Sequence, residues 1–164
     1  MEAVSSIIRE YAIGIGDVDF LKKLKLSAAF NYFQEIASAH AAGLGTGHDV
    51  MGKEYNAIWV LTRIRVDIVE YPVWNDRVTI NTWYHAPKKI GFERDFVMCG
   101  SDGRTMLKAV SNWVVLDTDT RQIVKSSLVS RCFPMPEAQK AIDCKLGKLK
   151  AFDRPEPVYK KVVG

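Results

Sequence analysis

A single apolar helical stretch, placed before a series of β-branched runs, is the feature that most limits the folds open to this chain. In Ser27–Leu44 the apolar residues recur at helical spacing and polar positions are few. Ser27 is a suitable N-cap, and the glycines at positions 43, 45 and 47 favour an end to the helix. Because apolar residues cover so much of its circumference, we predict that this helix is buried on most sides.

In four long runs after this helix, successive residues alternate with the two-residue period of a β-strand, so that neighbouring side chains would face opposite sides of a sheet. They lie at Trp59–Ile68, Val78–Tyr84, Phe92–Cys99 and Met106–Leu116. Ile7–Ile15 predicts a further strand before the helix, whereas His48–Tyr55 predicts a short helix and Gln122–Ser130 a short extension. Tight turns join the long strands, as at Gly100–Gly103, which indicates an antiparallel sheet.

Helices segregated to one side of an antiparallel sheet define the α+β class. One long helix beside such a sheet predicts a hot-dog fold, in which the sheet wraps around the central helix. Ferredoxin-like and cystatin-like layouts share this pattern of elements and stay open as alternatives.

The length of 164 residues suits one domain. We predict a folded domain at residues 1–133 and a linker-like tail at 134–164, because prolines punctuate the tail at positions 134, 136, 155 and 157.

No apolar stretch approaches the roughly 20 residues of a membrane-spanning helix, and the first residues lack the layout of a signal peptide. A cytoplasmic protein is therefore expected. Cys99, Cys132 and Cys144 are expected to be reduced thiols, since no two of them form a C-x-x-C pair.

The formal net charge of +4 is modest but unevenly distributed. Lysines cluster near the front, at positions 22, 23 and 25, and in the tail, at positions 140, 145, 148, 150, 160 and 161. Such patches can attract nucleic acid, an anionic membrane or a small acidic protein, or they form an ordinary solvated surface. Neither a helix-turn-helix motif nor aromatic residues interleaved with the basic ones is evident, so we expect no nucleic-acid partner.

Several segments together resemble the acyl-[acyl carrier protein] thioesterases of bacteria and plant plastids. The resemblance covers most of the chain and is to the amino-terminal half of those proteins, which are similar to two fused hot-dog halves. It is carried by Leu26–Gly45, Trp59–Val66, Tyr71–Trp83, Gly91–Phe96, Ala109–Trp113 and Asp117–Arg121.

The resemblance implies a hydrolase of fatty acid biosynthesis and lipid metabolism. Its substrate would be a fatty acyl thioester of acyl carrier protein or coenzyme A, and it would need no metal and no organic cofactor. In the family, the Asp, Asn and His of a D-x-N-x-H stretch that opens the second half perform the chemistry. Asp17–Lys25 looks like a degenerate copy of that stretch, in which Asp19 matches the acidic position. Leu21 and Lys23 stand in place of the Asn and the His.

Thioester hydrolysis needs an attacking water or carboxylate, a group that takes the proton and donors for the oxyanion. Glu35 is the leading candidate within this chain, because many single-domain hot-dog thioesterases place an acid on the central helix. His40 and Asp19 are the candidates for assisting it. The alternatives are that Glu35 satisfies backbone groups or faces a partner domain, and that His40 is a structural histidine.

Aromatic residues are the candidates for binding the acyl chain. Phe33 on the helix, together with Trp59 and Phe92 on strands, is predicted to line the substrate pocket, although each could instead fill the core. A basic face on the outer side of the sheet is also expected, where an acidic carrier protein could bind. The basic side chains predicted to lie exposed on that face are Arg63, Arg65, Lys89 and Arg94.

The leading hypothesis is an acyl-ACP thioesterase domain that releases free fatty acid and carrier thiol. We expect a homodimer, because an open sheet edge is commonly covered by a second copy. The runner-up is a non-catalytic half that binds the acyl chain or acyl carrier protein and needs a second hot-dog domain. A hot-dog dehydratase or a structural acyl-binding regulator is the third possibility.

Overall fold

The computed structural model describes residues 4–133, 136–137 and 139–147. The chain begins with a strand and continues through two helices into five further strands. The strands are β1 (Ser6–Ala12), β2 (Ala57–Ile68), β3 (Arg77–Tyr84), β4 (Phe92–Gly100), β5 (Thr105–Asp117) and β6 (Ile123–Val124), and the helices are α1 (Leu26–Gly43) and α2 (His48–Tyr55). Single-turn 3-10 helices lie at Ile15–Asp17, Ser126–Leu128 and Ser130–Cys132.

The strands form one antiparallel sheet in the order β1-β3-β4-β5-β2, with β6 paired to the end of β5. Strands β1 and β2, which are separated in the chain by both helices, therefore lie at opposite edges. Helix α1 packs against one face of the sheet, which we call the inner face. The predicted α+β hot-dog fold, with a sheet around one long helix, is confirmed.

Successive side chains along each strand point to opposite faces of the sheet, so every second residue faces α1. Ile80 of β3, Met98 of β4 and Leu107 of β5 are neighbours across the sheet, and each is at most 2% exposed. From the helix, Phe33 is 1% exposed and its ring centroid lies 4.8 Å from that of Phe96. Burying one large apolar side chain contributes about 1.5–3 kcal/mol. This contact therefore holds the helix on the sheet.

The helix differs from the prediction in its start and in its burial. It begins at Leu26 and is preceded by Lys25 without a side-chain cap, so Ser27 is not its N-cap. It is also not buried on most sides, because one face carries polar residues at spacings of three and four. The members of this exposed stripe are Asn31, Gln34, Glu35 and Ser38.

Two predicted strand ends are also corrected. β1 stops at Ala12 rather than at Ile15, because the carboxylate of Asp17 accepts a hydrogen bond from the amide of Gly14 and the chain turns there. The predicted extension at Gln122–Ser130 contains only the two-residue strand β6 before the 3-10 turns begin.

Cys99, Cys132 and Cys144 are free thiols. Within the described ranges, neither α1 nor α2 is both long and apolar enough to cross a membrane.

The described part of the tail lies across the outer face of the sheet, opposite α1. The indole Nε1 of Trp83 donates a hydrogen bond to the carbonyl oxygen of Gln139 (2.7 Å). The amide of Ala141 donates to Oδ2 of Asp95 (2.6 Å). Since Trp83 and Asp95 are paired neighbours on β3 and β4, the tail crosses both strands at this point.

The far end of the described tail reaches the edge strand β2. There Nη1 of Arg63 donates to the carbonyl oxygens of Leu146 and Gly147, both at 2.9 Å. The contacts thus run over the sheet from β3 to β2. Positions 134, 135, 138 and 148–164 lie outside the described residues, and the domain boundary at residue 133 stays a prediction.

His85 lies at the centre of the contact between the sheet and the tail. Its Nδ1 is 2.8 Å from the carbonyl oxygen of Glu137, which can only accept, so Nδ1 carries a proton. Its Nε2 is 3.3 Å from Oδ2 of the fully buried Asp95. The contact with Asp95 raises the pKa of His85, and burial opposes that shift only in part. The imidazole therefore joins the tail to the sheet, and its contact with Asp95 favours the charged form.

We predict that His85→Gln lowers the free energy of unfolding by about 1–3 kcal/mol near pH 6, because the variant removes the charged partner of a buried carboxylate. The folded-state pKa of His85 is raised above its unfolded value. The stabilisation is thus fully present below about pH 6.5 and is lost as the pH rises through the folded-state pKa. Urea unfolding at about pH 6 and about pH 9 measures the difference, which should shrink at the higher pH.

The matched control is His48→Gln, because the side chain of His48 is 88% exposed. This variant should change the free energy of unfolding by less than about 0.5 kcal/mol at both pH values. A difference between wild type and His85→Gln that is the same at both pH values would contradict a charged imidazolium.

Candidate functional site

A cavity of about 200 Å³ lies between α1 and the inner face of the sheet. It reaches the surface, because the exposed residues Gln34, Ser38 and His48 form part of its wall. The remaining lining residues are Ala37, Ala41, Trp59, Tyr84, Phe92, Glu93, Arg94, Trp113 and Phe133. Typical small-molecule pockets measure roughly 300–1,000 Å³, so this cavity suits a small ligand or one part of a long one.

Aromatic rings form the sheet side of the cavity. Trp59 meets Phe92 edge to face with ring centroids 4.8 Å apart, and Tyr84 meets Phe133 in the same way at 4.8 Å. The Nε1 of Trp59 donates to the carbonyl oxygen of Thr46 (2.9 Å), which fixes the indole against the turn between the two helices. Because such pairs are well packed and present apolar surface, this wall suits an aliphatic chain.

Small residues of α1 form the opposite wall. Ala37 and Ala41 are four residues apart, so they face the cavity from the same side of the helix. Gln34 and Ser38, also four residues apart, place an amide and a hydroxyl at the rim. The sequence reasoning missed these four residues, although their spacing on α1 was the available signal.

Arg94 lines the cavity, and its position corrects a prediction. It is 7% exposed and faces α1, whereas an exposed position on the outer face was expected. The alternation of β4 explains the difference, because Arg94 lies two residues from both Phe92 and Phe96 and so shares their side of the sheet. The Nη1 of Arg94 donates to Nδ1 of His40 (3.0 Å) and to Oγ1 of Thr82 (3.2 Å). Burial lowers the pKa of Arg94 to about 10, so the guanidinium stays charged at neutral pH.

His40 is buried, and both of its ring nitrogens are engaged. Its Nε2 is 2.9 Å from the carbonyl oxygen of Val4, which can only accept, while its Nδ1 faces the donor Nη1 of Arg94. The proton therefore lies on Nε2 and the lone pair on Nδ1. Burial lowers the pKa of His40 to about 4; the hydrogen bond to Val4 opposes this shift and Arg94 adds to it. The ring is accordingly neutral at pH 7.

The three residues predicted to perform chemistry are not brought together. Glu35 lies on the exposed stripe of α1 and is not among the residues that line the cavity. Asp19 accepts hydrogen bonds from the amides of Leu21 (2.8 Å) and Lys23 (3.0 Å), so it shapes its own turn. His40 lies on the buried side of the helix. Among the described residues, no hydrogen bond or ion pair joins any two of the three.

The residues predicted to bind substrate fall in two places. Trp59 and Phe92 lie in the wall of the cavity, whereas Phe33 lies in the core against Phe96. Their part in substrate binding stays a prediction.

The other residues of the predicted basic face differ in exposure. Arg65 is exposed and holds Asp67 in an ion pair (2.8 Å), whereas Arg63 is half-buried under the tail. Lys89 is exposed on the loop between β3 and β4 rather than on a strand. The tail thus covers part of the face on which a carrier protein was expected.

His85, Glu93 and Asp95 are the group of described residues whose ligand atoms could converge on a metal ion, since those atoms lie within 4.8 Å of one another. Their charges are already compensated by the protein. The Nζ of Lys88 lies 2.8 Å from Oε2 of Glu93, and that of Lys140 lies 3.6 Å from Oε1. Burial opposes ionisation of Glu93, but the lysines prevail and lower its pKa. We therefore assign this group to holding the tail.

One known protein family matches most of the chain. The family described as the acyl-ACP thioesterase N-terminal domain matches residues 5–127. That range includes both helices and all six of the described strands. The chain belongs to the acyl-ACP thioesterase family.

Curated relatives of this chain are much longer than the part that it matches. The chloroplastic oleoyl-acyl carrier protein thioesterase 2 of Arabidopsis thaliana is 30% identical over 143 residues, which are 79% of this chain and 37% of the relative. The chloroplastic palmitoyl-acyl carrier protein thioesterase of Gossypium hirsutum is 33% identical over 124 residues, which are 72% of this chain and 29% of the relative. The chain thus spans about a third of the length of these relatives.

Solved structures share the fold. An acyl-ACP thioesterase from Bacteroides thetaiotaomicron superposes with a TM-score of 0.78 at 22% identity, over 90% of this chain and 60% of that one. The 12:0-ACP thioesterase from Umbellularia californica gives a TM-score of 0.73 at 24% identity, over 90% of this chain and 61% of that one. The chain therefore has the fold of part of each of these proteins.

We predict that Phe33→Ala lowers the free energy of unfolding by about 3–5 kcal/mol, because a cavity replaces a buried ring. Phe20→Ala is the matched control, since Phe20 is 93% exposed. The control should change the free energy of unfolding by less than about 0.5 kcal/mol. Urea unfolding measures both variants, and a Phe33 variant as stable as the wild type would show that the ring does not fill the core.

Proposed function

We propose that this domain binds the acyl chain of an acyl-[acyl carrier protein] thioester and takes part in hydrolysing it to a free fatty acid and the carrier thiol. The observation that carries the proposal is the cavity, in which an aromatic wall faces the alanines of α1. The apolar lining suits an aliphatic chain, and the rim at Gln34 and Ser38 suits the polar thioester. Membership of the acyl-ACP thioesterase family supports the reaction.

The proposed reaction is attack by water on the thioester carbonyl. The water oxygen bonds to the carbonyl carbon while a base takes one of its protons. The carbon–sulfur bond then breaks, and the departing sulfur takes up a proton to become the thiol. The proposal requires no metal and no organic cofactor.

Glu35 is the proposed base within this chain. It is exposed on α1, directly after Gln34 of the rim, so a bound thioester or a partner domain can approach it. A carboxylate in that position can accept the proton of the attacking water. His40 and Asp19 stay proposed assistants, although their hydrogen bonds support Arg94 and a turn respectively.

The second candidate function is an acyl-binding half whose chemistry needs another hot-dog domain. Two observations favour it. In Asp17–Lys25, the degenerate copy of the catalytic stretch, Asp19 is already engaged by its own turn. The chain also spans only about a third of the length of the curated relatives it matches.

We propose that a second copy of the chain, or a second half, pairs with the edge strand β2. This strand has 12 residues, and within the described residues it pairs only with β5. A long unpaired edge favours pairing with another strand, and pairing with its own copy forms a closed two-fold dimer.

The proposed partner is an acidic carrier protein. Lys22, Lys23 and Lys25 are exposed near the start of α1 and can attract such a partner at long range. We retain a cytoplasmic location as part of the proposal, although the relatives named above are chloroplastic.

We predict that the protein releases thiol from medium- and long-chain acyl carrier protein thioesters. Glu35→Ala should lower kcat by about 100-fold or more, because general-base catalysis contributes at least that factor. The measurement follows free thiol over time. Glu54→Ala is the matched control, since Glu54 is an exposed carboxylate on α2, and it should leave kcat unchanged.

Two results would change the proposal in different ways. Turnover that survives in Glu35→Ala would contradict the role of Glu35. An absence of turnover in a preparation that still binds acyl carrier protein would favour the acyl-binding half, with the chemistry in a second domain.

A further inference from the structure

The guanidinium of Arg94 forms no ion pair with a carboxylate among the described residues, and Tyr84 is the ionisable neighbour that favours its charged form. Arg94 takes part in none of the ion pairs found there. Its two side-chain hydrogen bonds both leave from Nη1 and end on neutral acceptors, Nδ1 of His40 (3.0 Å) and Oγ1 of Thr82 (3.2 Å). Within the same residues, Nε and Nη2 donate to no acceptor.

The acidic residues beside Arg94 in the sequence do not neutralise it. Glu93 is one of the residues that line the cavity. Its carboxylate, like that of Asp95, belongs to the outer face of the sheet, because side chains alternate along β4 and both carboxylates lie beside His85. Glu93 is paired with Lys88 (2.8 Å), and Asp95 is paired with His85 (3.3 Å). The positive charge on the inner face is therefore not balanced by the chain as described.

This uncompensated charge would attract an anion that enters the cavity. A buried charge without an opposite charge is unfavourable, and arginine does not escape by losing its proton. The surrounding wall is aromatic, and a low local dielectric strengthens the attraction between opposite charges. The free donors Nε and Nη2 lie in one plane, which matches the two oxygens of a carboxylate.

We propose that the cavity is a binding site for aliphatic carboxylates. The carboxylate would lie on Nε and Nη2 of Arg94, and the chain would lie against Trp59 and Phe92. This inference rests on the proposed function, because hydrolysis of a fatty acyl thioester yields such a carboxylate. Since the cavity measures about 200 Å³, medium-chain acids fit it better than long-chain acids. The reaction product would then compete with the acyl chain of the substrate.

Isothermal titration calorimetry with octanoate and octanamide tests the site, because the two ligands share a chain and a shape but differ in charge. The wild type should bind octanoate at least about tenfold more tightly near neutral pH. Arg94→Gln should abolish that preference while keeping a side chain that can donate to His40. Arg77→Gln is the matched control, because Arg77 is an exposed arginine paired with Glu10 at 2.8 Å, and it should retain the preference.

A second measurement uses only the wild type, so the test does not depend on the folding of a variant. Octanoate should raise the Tm in thermal unfolding, whereas octanamide at the same concentration should raise it less. Arg94→Gln is itself expected to fold, since it removes a buried charge that has no opposite charge. Its circular dichroism spectrum checks that expectation.

The outcomes separate this site from the proposed function. Equal affinities of the wild type for the two ligands, or a preference that survives in Arg94→Gln, would overturn the carboxylate site. Hydrolysis of acyl carrier protein thioesters without a preference for octanoate would overturn the site and leave the proposed function intact. A preference for octanoate without hydrolysis would support the site and count against thioesterase activity of this chain alone.

Discussion

The packing of α1 against the inner face of the sheet is the contact on which the rest of the molecule depends. Phe33 and Ile36 fill the middle of that contact, and both are at most 1% exposed. Later in the helix, Ala37 and Ala41 replace such large side chains, and the cavity lies there, in front of Trp59. Because protein interiors are otherwise close-packed, a change from large to small residues along one helix is enough to leave space. The same helix therefore stabilises the fold and shapes the site.

Strand β4 distributes charge between the two faces of the sheet. On the outer face, Asp95 meets His85, and this pair helps to hold the tail. On the inner face, the side-chain hydrogen bonds of Arg94 to described residues end on the neutral acceptors His40 and Thr82. Burying an ion costs several kcal/mol when no opposite charge accompanies it. A ligand that brings a negative charge into the cavity recovers part of that cost, so the strand that stabilises one face prepares the other for binding.

The local pattern of the sequence was sufficient to predict most elements of the fold. The strands from β2 to β5 were located within two residues at each end, because alternation is a local signal. The start of α1 was misplaced, since Ser27 has the residue type of a cap but lies inside the helix. The position of Arg94 was also wrong, although its spacing from Phe92 and Phe96 placed it on the inner face.

The candidate site was less predictable, because it depends on contacts between distant parts of the chain. His85 had no evident partner in the sequence, yet its ring meets Glu137, 52 residues later. The turn at Thr46 determines the orientation of Trp59 in the same way. Glu35 and His40 lie on different sides of α1, because the sheet covers the side that carries His40 and leaves Glu35 exposed. The broad apolar pattern of the helix did not indicate which side the sheet covers. Such features arise from tertiary packing and have no local signature.

A crystal structure of the chain grown with octanoate is the most direct test of the claim that the space between α1 and the sheet binds an aliphatic carboxylate with its charged end at Arg94. We expect the carboxylate within roughly 2.7–2.9 Å of Nε and Nη2 of Arg94, as in other charge-assisted pairs. We also expect the aliphatic chain against Trp59 and Phe92. Octanoate bound outside the cavity, or Arg94 paired with an acidic side chain of the protein itself, would contradict the claim.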